Sequence, residues 1–245
     1  MFSARLKSRI KAVLPAQVLT GVRAVRHWVQ PLHQRLRPVM QSPVTKVRCQ
    51  SMQGVRVNIG CGNHPTPGWI NLDKVSRHPE VLYWDCTNRL PFTDGTVVAI
   101  YSEHFFEHLD YETEAKPFLR ECLRCLQPQG ILRLVVPDAG AYLKLYANGQ
   151  WDAMAARRPL TKEGSKYRDY WLGHTYRTQM EFINAVFRQY GEHKYAYDAE
   201  TLVFLLLEVG FARACETTFD VSSDPNMAPD TPERQSESLY VEATK

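Results

Sequence analysis

Residues 55–73 read VRVNIGCGNHPTPGWINLD, and the fold follows from how this stretch is ordered. Val55, Val57 and Ile59 alternate with polar residues and run into Gly60-Cys61-Gly62, the pattern of a strand that stops at a glycine turn. A second short apolar run, Trp69-Ile70-Asn71-Leu72, ends in Asp73. A glycine turn lets backbone approach a ligand where a side chain would collide. An acid at the tip of the neighbouring strand can accept both hydroxyls of a ribose. Together they predict an adenosine-type cofactor at the carboxyl ends of parallel strands.

Strands and helices alternate from residue 55 onward. Strands are expected over 55–60, 69–73, 81–84, 97–102 and 131–136, with a helix over 112–126 before the last of them. Asp198 reads as the N-cap of a helix that reaches Glu208, with Gly210 just past its end. Residues 211–219 and 238–244 read as a closing antiparallel pair. The expected architecture is an α/β, doubly wound and mainly parallel sheet of Rossmann-like type. Eleven residues separate Gly62 from Asp73, so the first crossover must be a turn and not a helix. Residues 139–197, rich in aromatics and arginine, are expected to form a variable cap.

Four further segments follow in order: Tyr83-Trp84-Asp85-Cys86 leading to Leu90-Pro91-Phe92; Tyr101-Ser102-Glu103-His104-Phe105-Phe106-Glu107-His108; Arg124-Cys125-Leu126-Gln127-Pro128-Gln129-Gly130; and His193-Lys194-Tyr195-Ala196-Tyr197-Asp198 with Gly210-Phe211. With the glycine turn they resemble the class I S-adenosylmethionine-dependent methyltransferases, most closely the type 11 group and its bacterial branch with a shortened first crossover. The resemblance spans about residues 55–215 and implies a seven-stranded methyltransferase sheet. It also implies S-adenosylmethionine as cofactor and a set of roles. Gly60, Cys61 and Gly62 would pass under its methionyl part. Asp73 would take the ribose, Asp85 and the Cys86 backbone the adenine edge, and Ser102 and Glu103 the amino-acid end. Asn58 stands where the family carries an acid, which would shift the ammonium contact toward Glu103.

Methyl transfer to a hydroxyl calls for a base, and imidazole suits that work. His104 is the first candidate, followed by His193 and His174; for His104 an ordinary packed loop histidine is the competing reading. His104 to His108 also match H-x-x-E-H, a zinc-protease pattern that requires a helix. Here the segment leaves a strand, so no metal is expected. Cys122 and Cys125 lie at helical spacing and are expected to pack into a core. Tyr167, Tyr170, Trp171, His174, Tyr176 and Arg177 line an acceptor pocket or pack the cap.

The charge is unevenly spread. Residues 1–54 hold ten Lys and Arg and no Asp or Glu, which leaves the remainder at −6 within an overall +4. A slightly acidic body argues against nucleic acid as partner. Phe2, Leu6, Ile10 and Val13, then Val18, Val22, Val25 and Val29, recur at helical spacing among the cations. Residues 1–50 are therefore expected to be a basic amphipathic arm and linker, with residues 51–245 as the methyltransferase domain. The arm suits an anionic membrane surface through residues 1–30, a docked or partner-bound helix, or a transit peptide. No run of about eighteen apolar residues occurs, and the six cysteines are scattered, so a cytoplasmic protein with reduced thiols is expected, with possible attachment to a membrane. The expected acceptor is a small molecule, a sugar or a lipid-linked glycan. The rival function is a non-catalytic scaffold that keeps the fold, with Asn58 as a mark of decay.

Overall fold

The computed structural model describes residues 40–158, 160–169 and 173–245, so the arm over 1–39, together with Tyr170 and Trp171, falls outside the described residues. The chain divides into two units, Met1–Val44 and Thr45–Lys245. The second unit holds the sheet, which begins with β1 (Val55–Ile59), β2 (Ile70–Asp73), β3 (Val81–Tyr83), β4 (Val97–Glu103) and β5 (Leu126–Pro137). Three strands lie in the cap: β6 (Thr161–Glu163), β7 (Lys166–Asp169) and β8 (His174–Tyr176). The main sheet is completed by β9 (Arg213–Thr217) and β10 (Ser238–Thr244), in the order β3-β2-β1-β4-β5-β10-β9. β10 runs antiparallel to both β5 and β9, and the other neighbours whose register is described are parallel. This is the expected seven-stranded, mainly parallel Rossmann-like sheet.

The helices are α1 (Lys116–Cys125), α2 (Ala139–Ala147), α3 (Trp151–Ala156), α4 (Gln179–Arg188) and α5 (Ala199–Val209). Local chemistry sets their ends. Asp198 accepts from Thr201 N at 2.9 Å to open α5, and Gly210 closes it at φ 114°, where a side chain would be strained. α1 buries Phe118, Leu119, Cys122 and Cys125 along one face, so the C-x-x-C is a packing stripe. Before it, residues 111–115 form a wider turn, opened by Asp110, which accepts from Thr113 N while its own N–H donates to Glu114.

Two of the sequence motifs turn out to be one structural unit. Arg124, at the end of α1, donates to Phe92 O at 2.8 Å and Leu90 O at 3.2 Å, while Glu121 accepts from Leu90 N at 2.9 Å. The arginine before the turn thus holds the Leu-Pro-Phe segment. In the turn itself a Cβ on Gly130 would stand 2.8 Å from Gln127 O, so only glycine fits.

One face of the sheet carries the main core: Val57, Ile59, Leu72, Ile100, Leu132, Leu134 and Val241 against α1 and α5. Cys49 joins this core and is fully buried. Residues 40–50, in the stretch expected to end the arm and linker, are helical: Thr45 and Cys49, four apart, put one face inside. The opposite face is covered by loop residues. Ala228 and Met227, from the segment before β10, pack with Phe219 and Trp69 on Tyr101, Val135 and Tyr240. Arg133 reaches into the same layer, 1% exposed. β1 and β2 are joined by turns alone, as their short spacing required.

The cap differs from expectation in kind. Alongside α2, α3 and α4 it contains an antiparallel meander, β6-β7-β8. Its own core is Tyr142, Met154, Tyr176, Phe182, Ile183 and Val186.

Candidate active site at the carboxyl edge of the sheet

β1 delivers the glycine turn, and both glycines sit in left-handed backbone, Gly60 at φ 71° and Gly62 at φ 54°. They are required for different reasons. A Cβ on Gly60 would lie 2.4 Å from the Phe105 ring, whereas nothing stands within 4 Å of the same position on Gly62. Gly62 is therefore the open floor of the turn, and Phe105 packs against its start. Cys61 lies between them, buried, its thiol pushed up to about 12 by burial and by the Asp73 carboxylate, so it is a protonated packing group.

Asp73 lies at the tip of β2 as expected, but most of its hydrogen-bonding capacity is used locally. Oδ1 accepts from Val75 N at 2.6 Å and Ser76 N at 2.7 Å; Oδ2 accepts from Gly62 N at 3.0 Å. The carboxylate thus ties the glycine turn to the turn after β2, and Oδ2 retains one lone pair for a ligand hydroxyl. Asp85, after β3, is half-buried. Oδ1 accepts from Thr87 N and Oγ1 at 3.2 and 2.8 Å, and among the described residues Oδ2 meets Lys74 Nζ alone, at 3.5 Å. Burial acts to raise its carboxyl, but the Thr87 bonds and Lys74 outweigh it and hold it below the usual range. Cys86 beside it is buried, and burial raises its thiol.

Asn58 and Glu103 both have partners within the protein. Asn58 Nδ2 donates to Thr66 Oγ1 at 2.9 Å, and Asn71 clamps the backbone of Thr66 from the other side. With no first helix, Thr66 stands beside β1, and the Asn58 amide holds it there through the hydroxyl oxygen. Glu103 accepts from Thr231 N at 3.1 Å and from its hydroxyl, which fastens the loop before β10 to the sheet edge. Ser102 is fully buried and its Oγ has no partner among the described residues.

His104 leaves β4 in left-handed backbone, φ 49°, while its N–H still donates to Val135 O at 2.8 Å. Such a conformation costs a non-glycine residue about 1–2 kcal/mol. The ring bridges two partners: Nε2 is 2.9 Å from Ser238 Oγ, and Nδ1 is 3.3 Å from Glu107 Oε1, out of line for a hydrogen bond. Glu107 is buried at 1% exposure, and no lysine or arginine pairs with it among the described residues. Burial acts to raise its carboxyl; the surrounding imidazoles, His104 first, hold it below the usual range.

His193 also faces Glu107, with Nε2 at 3.9 Å, and Nδ1 donates to Val186 O at 2.7 Å. It is buried, and burial lowers its pKa. His193 is therefore a poor general base for an entering acceptor. His174 belongs to the cap, stacked on Tyr190 at 4.2 Å. It lines a cavity of about 390 Å³ with Tyr176, Thr178 and Glu181. Of the other residues expected to line a pocket or pack the cap, Tyr167 and Tyr176 are packed into the cap and Arg177 pairs with Glu181, while Tyr170 and Trp171 lie outside the described residues.

The donor set fits S-adenosylmethionine. Gly62 is an open backbone floor, Asp73 Oδ2 and Asp85 Oδ2 keep acceptor capacity at neighbouring strand tips, and Ser102 offers a buried hydroxyl still without a partner.

Residues 58–134, from the end of β1 to the middle of β5, match the family model of the methyltransferase domain. This match supports a class I S-adenosylmethionine-dependent methyltransferase, an enzyme with S-adenosylmethionine as its cofactor. A comparison with curated protein sequences finds no match. Among solved structures the chain is similar to a methyltransferase of Thermotoga maritima described as a possible histamine N-methyltransferase. The identity is 17%, the TM-score 0.46, and the match covers 91% of this chain and 96% of that one. A second is a methyltransferase of Archaeoglobus fulgidus, at 17% identity and TM-score 0.47, over 90% and 94% of the two chains. A third is the 1,6-didemethyltoxoflavin-N1-methyltransferase of Burkholderia thailandensis, with bound 1,6-didemethyltoxoflavin and S-adenosylhomocysteine. It is 12% identical with a TM-score of 0.40, over 100% of this chain and 92% of that one.

We predict that Asp73→Ala weakens S-adenosylmethionine binding at least tenfold, or about 1.4 kcal/mol. A charge-assisted bond of about 1.5–3 kcal/mol is removed, and Gly62 N loses its anchor. Unchanged affinity in a calorimetric titration would contradict the role given to Asp73.

Proposed function

We propose that the enzyme methylates a hydroxyl of a small-molecule, sugar or lipid-linked glycan acceptor, with His104 as general base. The observation that carries this reading is the His104 ring, whose Nε2 lies 2.9 Å from a hydroxyl, that of Ser238. An imidazole nitrogen that already engages an alcohol at the carboxyl edge of the sheet suits an acceptor of the same chemistry. Behind it stands the Glu107 carboxylate, which favours the imidazolium that proton transfer would create. Tyr111 and Tyr195, stacked at 4.3 Å, supply flat apolar surface of the kind that sugar rings pack against.

The cofactor supplies an electrophilic methyl group on a sulfonium. The protein's part is to align an acceptor oxygen with that methyl and to take its proton at His104 Nε2. With the cofactor bound, the acceptor oxygen would take the methyl and the C–S electron pair would stay on sulfur.

Among the described residues no helix is long and apolar enough to cross a membrane. The cations and apolar stripes of residues 1–30 support attachment of a cytoplasmic protein to an anionic bilayer surface, at about 1 kcal/mol per cation close to it. One experiment tests both proposals. Cell extracts are incubated with methyl-labelled cofactor and either the whole chain or a chain lacking residues 1–30, then split into lipid and water-soluble fractions. Base-stable, O-linked label in a glycan or lipid fraction is expected, reduced in the lipid fraction by the deletion. Label confined to protein or nucleic acid would overturn the acceptor class; equal lipid labelling by both chains would overturn the role of the arm.

A further inference from the structure

A place behind His104 does not account for the whole setting of the Glu107 carboxylate. It is buried, both of its oxygens are without a hydrogen-bond donor, and no arginine or lysine offsets its charge among the described residues. A buried anion in that position costs several kcal/mol unless a cation stands beside it. The void it borders, lined also by Val186, His193 and Tyr197, is too narrow for a water molecule.

What surrounds Glu107 has the form of a ligand shell. Ligand atoms of Glu107, His108 and His193 lie within 4.8 Å of one another. Each histidine is oriented from behind by a backbone carbonyl: His193 Nδ1 donates to Val186 O at 2.7 Å, and His108 Nδ1 to Glu192 O at 3.0 Å. That fixes the proton on Nδ1 and leaves the Nε2 lone pair of both rings free. Carbonyl-oriented imidazoles of this kind recur behind metal-bound histidines. The rings meet edge to face, centroids 4.8 Å apart, and His108 is half-buried, which gives an ion a path inward.

We propose that Glu107, His108 and His193 bind one divalent transition ion of the zinc class. Two imidazole nitrogens and a carboxylate oxygen suit such an ion, with ligand distances of about 2.0–2.2 Å; the three side chains would draw together by roughly 1 Å. His108 follows β4 and His193 precedes α5, and the backbone already joins the two segments where Lys194 N donates to Glu107 O at 2.8 Å. The ion would be a staple across that joint. The expectation of no metal rests on reading the segment as H-x-x-E-H. The set proposed here uses a different pair of histidines, with His193 from a distant segment in place of His104. The site is independent of the acceptor, but it shares Glu107 with the role given to His104, so its test reads metal content and stability and not turnover.

The test uses the full chain, purified without metal-affinity resin or chelator. About one zinc per chain is expected by elemental analysis, together with a lower unfolding temperature after chelation that added zinc restores. Glu107→Gln, His108→Asn and His193→Asn should each weaken zinc binding on the order of 100-fold or more, whereas His104→Asn should retain it. His108, being half-buried, is the variant expected to fold in any case, and the wild-type titration needs no variant. Wild-type protein that neither carries zinc nor responds to it would overturn the proposal and leave a protonated imidazole as the counter-charge. Zinc that survives all three substitutions, or that depends on His104 and not on His193, would overturn it as well.

Discussion

His104→Asn is expected to lower single-turnover methyl transfer by about 100- to 10,000-fold, the range that a positioned base contributes. Asparagine is chosen because it tolerates the left-handed backbone that His104 adopts at φ 49°, so the change removes the imidazole without straining the chain. The ring contacts Ser238 and Glu107 and neither the glycine turn nor Asp73 among its hydrogen bonds and ion pairs, so cofactor affinity should change little. The measurement is the rate with excess enzyme on the acceptor fraction that takes up label. A loss in rate with unchanged cofactor affinity is a loss of transition-state stabilisation alone. A near-wild-type rate would mean that alignment suffices and that His104 is a packed loop residue.

The second large effect is on stability. Arg133 is 1% exposed and all five of its N–H groups are used. Nε and Nη2 donate to Asp230, Nη1 to Glu242 and to Val221 O, and Nη2 also to Thr218 O. Asp230 in turn accepts from Asp220 N, and Glu242 from Ser223. This network pins the loop before β10 onto the sheet. Asp230→Ala leaves a guanidinium in the interior with one carboxylate gone, and should destabilise the fold by about 3–5 kcal/mol, as for other broken buried pairs. Replacing Arg133, Asp230 and Glu242 together by Met, Leu and Leu, so that no buried charge is left without its partner, should recover much of that loss. Urea unfolding of the three proteins decides it. A loss below about 1 kcal/mol for Asp230→Ala would place the network among weak surface pairs.

The parts of the fold that are legible in the sequence are those set by local chemistry. The glycine turn, the acids at the tips of β2 and after β3, the cap of α5 and the closing strand pair are each written in a few adjacent residues. The absent first helix follows from chain length alone. Arg133 cannot be read in the same way. In Ile-Leu-Arg-Leu-Val-Val it looks like the solvent-facing member of an alternating strand, because its partner Asp230 lies 97 residues away. The cap meander is hidden for the opposite reason: Thr161–Glu163 is polar, and its pairing with β7 rests on backbone bonds more than on pattern.

At the site, residue identity is more legible than residue task. Asn58 stands out because it replaces an acid, and its bond to Thr66 gives it a structural purpose where decay of the fold is the alternative. Glu103 reads as a cofactor ligand in the sequence, and its bonds to Thr231, 128 residues on, cannot be read there. His104 and His193 are both candidate bases by sequence, and the structure brings both to Glu107 while orienting only His104 toward a hydroxyl. Their common partner is visible in the sequence only as the acid of a protease-like pattern.

The placement of the cofactor along the carboxyl ends of β1 to β4 underlies every role assigned to the site. A crystal structure of the full chain grown with S-adenosylhomocysteine tests that placement most directly. The ligand is expected over the Gly62 turn, with its ribose on Asp73 Oδ2 and its adenine edge toward Asp85 and the Cys86 backbone. Ligand bound in the cap cavity beside His174, or no ligand in crystals soaked at millimolar concentration, would contradict it.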